Sequence, residues 1–139
     1  NTSLSLLNLE SNAISIAVAE AISSYLMKVD RLSSLFLSYN AIFDEGAIAL
    51  AQALEKNKSL NDLLLKTCSI GPRGLIAIAD AMNQNNTMQN LHLFGNDFDD
   101  ASCRKYGRLI ADRFPYVGVQ VDIEVYAVDG AHHVALIET

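Results

Sequence analysis

Cysteine is nearly missing from this chain, which carries only Cys68 and Cys103 among its 139 residues. Two thiols cannot staple a fold, and a chain of this length buries roughly two-thirds of its unfolded surface without such help. A reduced compartment is therefore expected, cytoplasmic in the first place, with the nucleus or cilium as alternatives. Long apolar runs are missing as well. Half of the residues are hydrophobic, yet no run approaches the roughly 20 residues that span a bilayer, and no basic-then-apolar leader opens the chain. A membrane partner is excluded on this reading. The ten basic residues are scattered among sixteen acidic ones, for a formal charge of -6. The clustered cationic face that phosphate backbones require is absent, which excludes nucleic acid. Glycine is sparse, and Gly46, Gly71 and Gly74 lie in strand-to-helix turns rather than in a phosphate-cradling loop. His92, His132 and His133 stand at no metal-ligand spacing, and neighbours on a strand point to opposite faces. Neither a metal nor a cofactor is expected.

What is present is a repeat. Sliding the sequence along itself by 28 residues brings Leu4, Leu32, Leu60 and Met88 into one column and Leu7, Leu35, Leu63 and Leu91 into another. Leu9, Leu37, Leu65 and Leu93 form a third, Asn12, Asn40, Cys68 and Asn96 a fourth, and Ile14, Ile42, Ile70 and Phe98 a fifth. No insertion breaks the register. A period of about 20 to 50 residues marks a solenoid, whose units bury their apolar faces only by stacking on one another. Tyr116, Val119 and Val121 extend the columns to a fifth strand, after which no further repeat follows.

Each unit opens with L-x-x-L-x-L, a period of two suited to a short strand with Leu7, Leu9 and their equivalents pointing inward. The spacing then becomes helical. Ala47, Leu50, Ala51 and Leu54 fall at i, i+3, i+4 and i+7, and Leu75, Ile78, Ala79 and Met82 repeat them. Ser15 or Asp44 is placed to cap a helix start, Pro72 suits a first turn, and Asn57 and Asn85 suit left-handed helix ends. The acid pairs Asp44-Glu45 and Asp99-Asp100 fall in opening turns, where unpaired amides favour carboxylates.

In stretches such as LFLSYNAIFDEGAIALAQALEKNKSL and LLLKTCSIGPRGLIAIADAMNQNNTM the chain resembles leucine-rich repeats of the ribonuclease-inhibitor-like class. The resemblance covers residues 1 to about 115 and implies an α/β horseshoe solenoid, with a parallel concave sheet and convex helices. The expected division is four repeats over 1–115 and a capping strand and hairpin over 116–139. The C-terminal end resembles the leucine-rich repeat-containing protein 34 type. The resemblance implies a non-enzymatic intracellular scaffold for protein-protein interaction. Two alternatives share the fold, the repeat part of a GTPase-activating protein and the ligand-sensing end of an innate immune receptor. Family members of the GTPase-activating kind carry an acidic tail, whereas this chain ends Leu136-Ile137-Glu138-Thr139. A ribonuclease inhibitor proper is cysteine-rich, and this chain is not. In this family the asparagine of the fourth column bonds the turn after the strand, so Cys68, with weaker donors and no amide oxygen, should tie its turn less well. Its buried thiol should be inert.

The two ends differ. Leu4 begins a repeat with no polar cap before it, so the first strand should present an open edge and an apolar underside. The expectation is a piece of a longer solenoid, with repeats or another domain upstream. At the other end, alternation runs from Val119 through Val121, Ile123 and Val125. Asp129-Gly130 then signals a type I′ turn, and Val134 and Leu136 follow. A two-residue loop pairs Val125 with Val134 and Ile123 with Leu136, and puts all six apolar residues on one face that closes the last repeat. The alternative is a protruding hairpin that recruits a partner strand.

Other motifs have structural readings. Ser102 to Lys105 spells S-x-x-K without the companion motifs of acyl-serine chemistry. Asn1-Thr2-Ser3, Asn57-Lys58-Ser59 and Asn85-Asn86-Thr87 match the glycosylation pattern but recur at the repeat period. Cys103 shares a column with Ala19, Ala47 and Leu75, which marks it as core. The functional candidates are the outward strand positions. Their middle column reads Asn8, Phe36, Leu64, His92 and Gln120. Phe36 and Leu64, flanked by Tyr39, Lys66, His92 and Phe94, form the candidate contact surface for another protein.

Overall fold

A computed structural model describes residues 4–137. The glycosylation match at Asn1 and the terminal Glu138 and Thr139 lie outside the described residues. Strand and helix alternate through β1 (Leu6–Asn8), α1 (Ile16–Lys28), β2 (Ser34–Phe36), α2 (Phe43–Lys56), β3 (Asp62–Leu64), α3 (Pro72–Met82), β4 (Asn90–His92) and α4 (Asp100–Asp112). A short α5 (Phe114–Val117) leads to β5 (Gln120–Val121), followed by β6 (Ile123–Val128) and β7 (Ala131–Leu136). Strands β1 to β5 form one parallel sheet in chain order, and β6 and β7 a separate antiparallel pair.

The repeat period sets the pairing. Leu7 lies opposite Leu35, Leu35 opposite Leu63, and Leu63 opposite Leu91. The inward leucines Leu35, Leu37, Leu63, Leu65, Leu91 and Leu93 are fully buried, as are Ala47, Leu50, Leu75 and Ile78 from the helices that cover them. One continuous apolar core results, shared between successive units.

Two series of asparagines tie units to the ones before them, Asn40, Asn57 and Asn85 buried and Asn96 half-buried. Asn40 donates through Nδ2 to the carbonyls of Leu9 and Leu37, at 3.0 and 2.8 Å, while its Oδ1 accepts from the Asn12 and Ile14 amides. Asn96 repeats the pattern on Leu65 and Leu93, and on Cys68 and Ile70. Beyond the helices, Asn57 donates to the Leu26 carbonyl and accepts from the Ser59 and Leu60 amides. Asn85 does the same with Leu54, Thr87 and Met88. Neither Asn57 nor Asn85 is the left-handed helix end that its position suggests: Asn57 is extended, with φ -71° and ψ 136°, and neither residue has a positive φ. Their side chains, rather than backbone freedom, account for the residue type.

The helix starts also differ from the sequence expectation. Ser15 occupies the N-cap of α1 without a side-chain bond, and Asp44 lies inside the first turn of α2. Asp99 is the working cap, closing a reciprocal pair of bonds with Ser102. Asp44 serves the next unit instead, its Oδ1 accepting from the Gly74 amide at 2.8 Å. A Cβ on residue 74 would lie 2.8 Å from that oxygen and 2.9 Å from the Ala47 methyl. The close approach of α3 to α2 therefore requires glycine at this point.

The register breaks after β4. Val121 pairs with Leu91 and Gln120 with Asn90, so this last step is two residues longer than the repeat. The short helix α5 takes up the excess and ends at Gly118, which is left-handed with φ 78°. Tyr116 is left 84% exposed, and Phe114 fills the buried place instead. The chain leaves the parallel sheet at Asp122, so the six apolar residues from Val119 to Leu136 do not share one sheet face: Val121 belongs to the solenoid sheet, and Ile123 opens the hairpin. Within the hairpin the pairs Ile123–Leu136 and Val125–Val134 form as alternation predicts. Asp129 and Gly130 both have positive φ, 52° and 83°, the requirement of a type I′ turn. The hairpin lies on α4. The His132 amide donates to Asp100 Oδ1 at 2.7 Å, His132 Nδ1 is 2.8 Å from the same oxygen, and Val125 packs over Gly107.

Asn57→Ala orphans the Leu26 carbonyl and two amides in a buried setting, and should cost about 1–3 kcal/mol in urea unfolding with an unchanged m-value. The exposed Gln84→Ala should stay within about 0.5 kcal/mol of the parent. The Asp100 carboxylate titrates below its usual range because the His132 amide and ring bond its charged form. Its tether is therefore present above the ordinary carboxylate range and fades as pH falls through the lowered value. The hydrogen-exchange protection of the β6–β7 amides, relative to intrinsic rates at each pH, should fall in acid before that of the parallel sheet, and Asp100→Asn should produce the same selective loss at neutral pH.

Candidate partner-binding face

Residues that alternate with the buried leucines face the concave side of the parallel sheet. Pairing puts Asn8, Phe36, Leu64 and His92 in one row across four strands, neighbours being about 4.8 Å apart. Gln120 does not join this row as the unbroken repeat predicts, because the longer last step sets it opposite Asn90. Asp122 closes the far end instead. It is buried, accepts from the Leu93 and Phe94 amides at 2.7 and 3.2 Å, and holds Lys66 Nζ at 3.9 Å.

Six candidates emerge from the sequence, and the structure brings them together to different degrees. Phe36, Leu64 and His92 are half-buried and side by side. Lys66 leans toward Asp122, and its amide donates to the buried Ser38 hydroxyl. Phe94 is half-buried against the core, next to the same carboxylate. Tyr39 stands apart in the turn after β2, 57% exposed. On one side of the apolar row runs a bonded polar row: Ser34 Oγ donates to Asp62 Oδ2 at 2.8 Å, and Asn90 Nδ2 donates to Asp62 Oδ1 at 2.6 Å. The result is an apolar spot with polar groups held in fixed positions around it.

Tyr39 owes its position to the turn. Ser11, Tyr39, Thr67 and Gly95 recur at the repeat period, and all are left-handed, with φ of 56°, 64°, 50° and 90°. A residue with a Cβ is strained there, and only packing and the asparagine bonds beside it hold it so. Sequence reasoning passed over one further aromatic. Phe43 is 44% exposed with φ 60°, in the column that holds Ser15, Gly71 and Asp99 in the other units. A large apolar residue in a column of small or polar ones was the available signal.

The other chemical candidates have structural roles. Ser102 is buried in its capping bonds with Asp99, and Lys105 forms an ion pair with Asp80 on the preceding helix. Cys68 and Cys103 are free thiols in the core. Among the described residues there is no group of three or more metal-ligating side chains, and no helix is long and apolar enough to cross a membrane. A second apolar surface lies at the β1 end, where Leu4, Leu7, Val18, Ile22, Tyr25 and Leu32 line an open cavity of about 380 Å3. Elsewhere in the solenoid, the adjoining unit covers the equivalent surface.

The family described as Leucine Rich repeat matches residues 32–51, 56–79 and 84–105. No curated protein matches the chain. Among solved structures, the chain is similar to the leiomodin-1 actin-binding site 2, with a TM-score of 0.78 and 20% identity over 87% of this chain and 70% of that one. At that identity the likeness is one of fold.

Burial pushes the Cys68 thiol up to about 11 and raises Cys103 as well. Both should resist a thiol-exchange reagent such as DTNB at pH 8 in the folded protein, and both should react at once in denaturant. A stoichiometric fast phase under native conditions would contradict the burial of one of them.

Proposed function

Because the chain is a leucine-rich repeat protein with an aromatic spot in the middle of its concave sheet, we propose that it is a non-enzymatic cytoplasmic scaffold that holds another protein through Phe36, Tyr39, Leu64, Lys66, His92 and Phe94. In this reading residues 1–115 are the binding solenoid and residues 116–139 its cap. The observation that carries the reading is the row Asn8–Phe36–Leu64–His92, in which two apolar side chains meet across paired strands. A short row of apolar residues ringed by polar groups is the usual make-up of an interface anchor. Burying Phe36 fully against a partner would contribute about 1.5–3 kcal/mol. The neighbouring Ser34–Asp62–Asn90 bonds keep the surroundings rigid, so little ordering cost is incurred on binding. The similar leiomodin-1 structure is that of an actin-binding site, which makes actin the first protein to test.

Phe36→Asp places a charge in the spot. Immobilised parent and variant chains, compared by circular dichroism and then by capture from lysate with mass spectrometry and by co-sedimentation with actin filaments, test the reading. A specific partner retained by the parent and lost by the variant is the expected result. Equal recovery would move the binding surface to the apolar β1 end, and co-purification of a GTPase would favour the GTPase-activating alternative.

A further inference from the structure

The second strand-to-helix turn departs from the first and the third. In the first and third turns Ala13 and Ser69 are left-handed, with φ of 55° and 56°, and the helix-start residues Ser15 and Gly71 are extended. In the second turn the pattern is reversed: Ala41 is not left-handed, Ile42 is helical, and Phe43 carries the positive φ of 60°. That conformation is costly for a residue with a bulky side chain.

The difference follows from what each turn finds in the unit beyond it. The first turn meets Asn40, whose Oδ1 takes the Asn12 and Ile14 amides, and the third meets Asn96, whose Oδ1 takes those of Cys68 and Ile70. The second turn meets Cys68, which has no amide oxygen to offer. The Ile42 amide goes instead to the Cys68 main-chain carbonyl at 3.1 Å, and the Phe43 amide joins it at 3.2 Å. Drawing the residue 43 amide inward accompanies the change in its φ and leaves the side chain exposed. The sulfur itself is fully buried and donates to the Leu37 carbonyl at 3.2 Å.

We infer that Cys68 is a specificity-determining positioning residue: by withholding the oxygen that Asn40 and Asn96 supply to the first and third turns, it sets Phe43 outward on the same turn as Tyr39 and extends the concave contact surface by an aromatic rim. The occupant that this rim fits is a partner-protein segment with apolar side chains flanked by cations. Glu45 stands two residues beyond Phe43 in the first turn of α2, Glu10 in the turn after β1 and Asp62 on β3, and the chain carries a net charge of -6. The extension of the surface rests on the concave-face reading above, whereas the effect of Cys68 on the turn does not.

The two parts are tested separately. Crystal structures of Cys68→Asn and of Phe43→Ser separate the acceptor from the side chain as the cause. Cys68→Asn should return residue 41 to positive φ and residue 43 to extended backbone, with the Ile42 amide on the new side-chain oxygen. Phe43→Ser should leave the turn as it is. A Phe43 that keeps its positive φ in Cys68→Asn, or a turn that reverts in Phe43→Ser alone, overturns the inference. Cys68→Ser, whose hydroxyl is too short to reach both amides, should behave as the parent and serves if the asparagine variant does not fold. In the binding assay, Phe43→Ala should weaken by at least about fivefold the partner that Phe36→Asp loses. Full retention by Phe43→Ala beside loss by Phe36→Asp overturns the extended surface. Loss by neither variant refutes the concave-face reading itself and with it the extension, and the turn geometry of Cys68→Asn then decides the role of Cys68 alone.

Discussion

Everything in this chain depends on stacking units at a constant step, and asparagine amides between the units hold that step. A three-residue strand and one helix cannot bury their apolar sides alone, so each unit is stable only against its neighbour. Hydrophobic contact is tolerant of small slips, whereas a side-chain amide that must reach two carbonyls and two amides is not. Asn40 and Asn96 impose that demand after the strands, and Asn57 and Asn85 impose it after the helices. Where the strand-side amide is missing, at Cys68, the helix-side Asn85 still holds the step, and the concave rows fall into line. Within the rows the Ser34–Asp62–Asn90 bonds add to that alignment.

The end of the solenoid shows what happens when the ladder runs out. Arg113 stands one repeat beyond Asn85 and takes over part of its work, donating to the Met82 and Asn85 carbonyls. Asp122 supplies acceptors to the Leu93 and Phe94 amides that have no following strand to meet. The hairpin then covers α4, with Ile123 fully buried beneath it. Each device satisfies polar groups that a further repeat would otherwise have satisfied. Lys66 is drawn to the same carboxylate, so the end of the solenoid also shapes one margin of the candidate binding face.

The candidate binding face and the stability of the fold are thus joined at a few side chains. Ser38 is buried and accepts from the amide of Lys66, a member of the face, while Asp62 bonds Ser34 and Asn90 across three strands. Phe36 and Leu64 carry no such side-chain hydrogen bonds, so the apolar part of the face is less tied to the stability of the fold than its polar surround. The turns add a second tier. Tyr39 occupies a left-handed position present in every unit, and Phe43 occupies one found in this unit alone.

The order of strands and helices, their pairing from Leu7 to Leu91, and the turn at Asp129-Gly130 were all legible in the sequence, because burial recurs at a regular spacing and that spacing is written in residue type. So was the row Phe36–Leu64–His92, since a strand alternates sides without regard to what surrounds it. The roles of Asn57, Asn85 and Asp44 were not legible: their partners lie about one repeat away, and only the stacked structure shows which backbone groups come within reach. The longer step to β5, which removed Gln120 from the row and exposed Tyr116, was hidden for a related reason. Val119 and Val121 fit the period equally well as sequence, and the choice between registers was made by α5 and by where Phe114 could be buried. Periodicity determined the solenoid; hydrogen bonds between units, which periodicity does not encode, decided where its edges and its exposed aromatics lie.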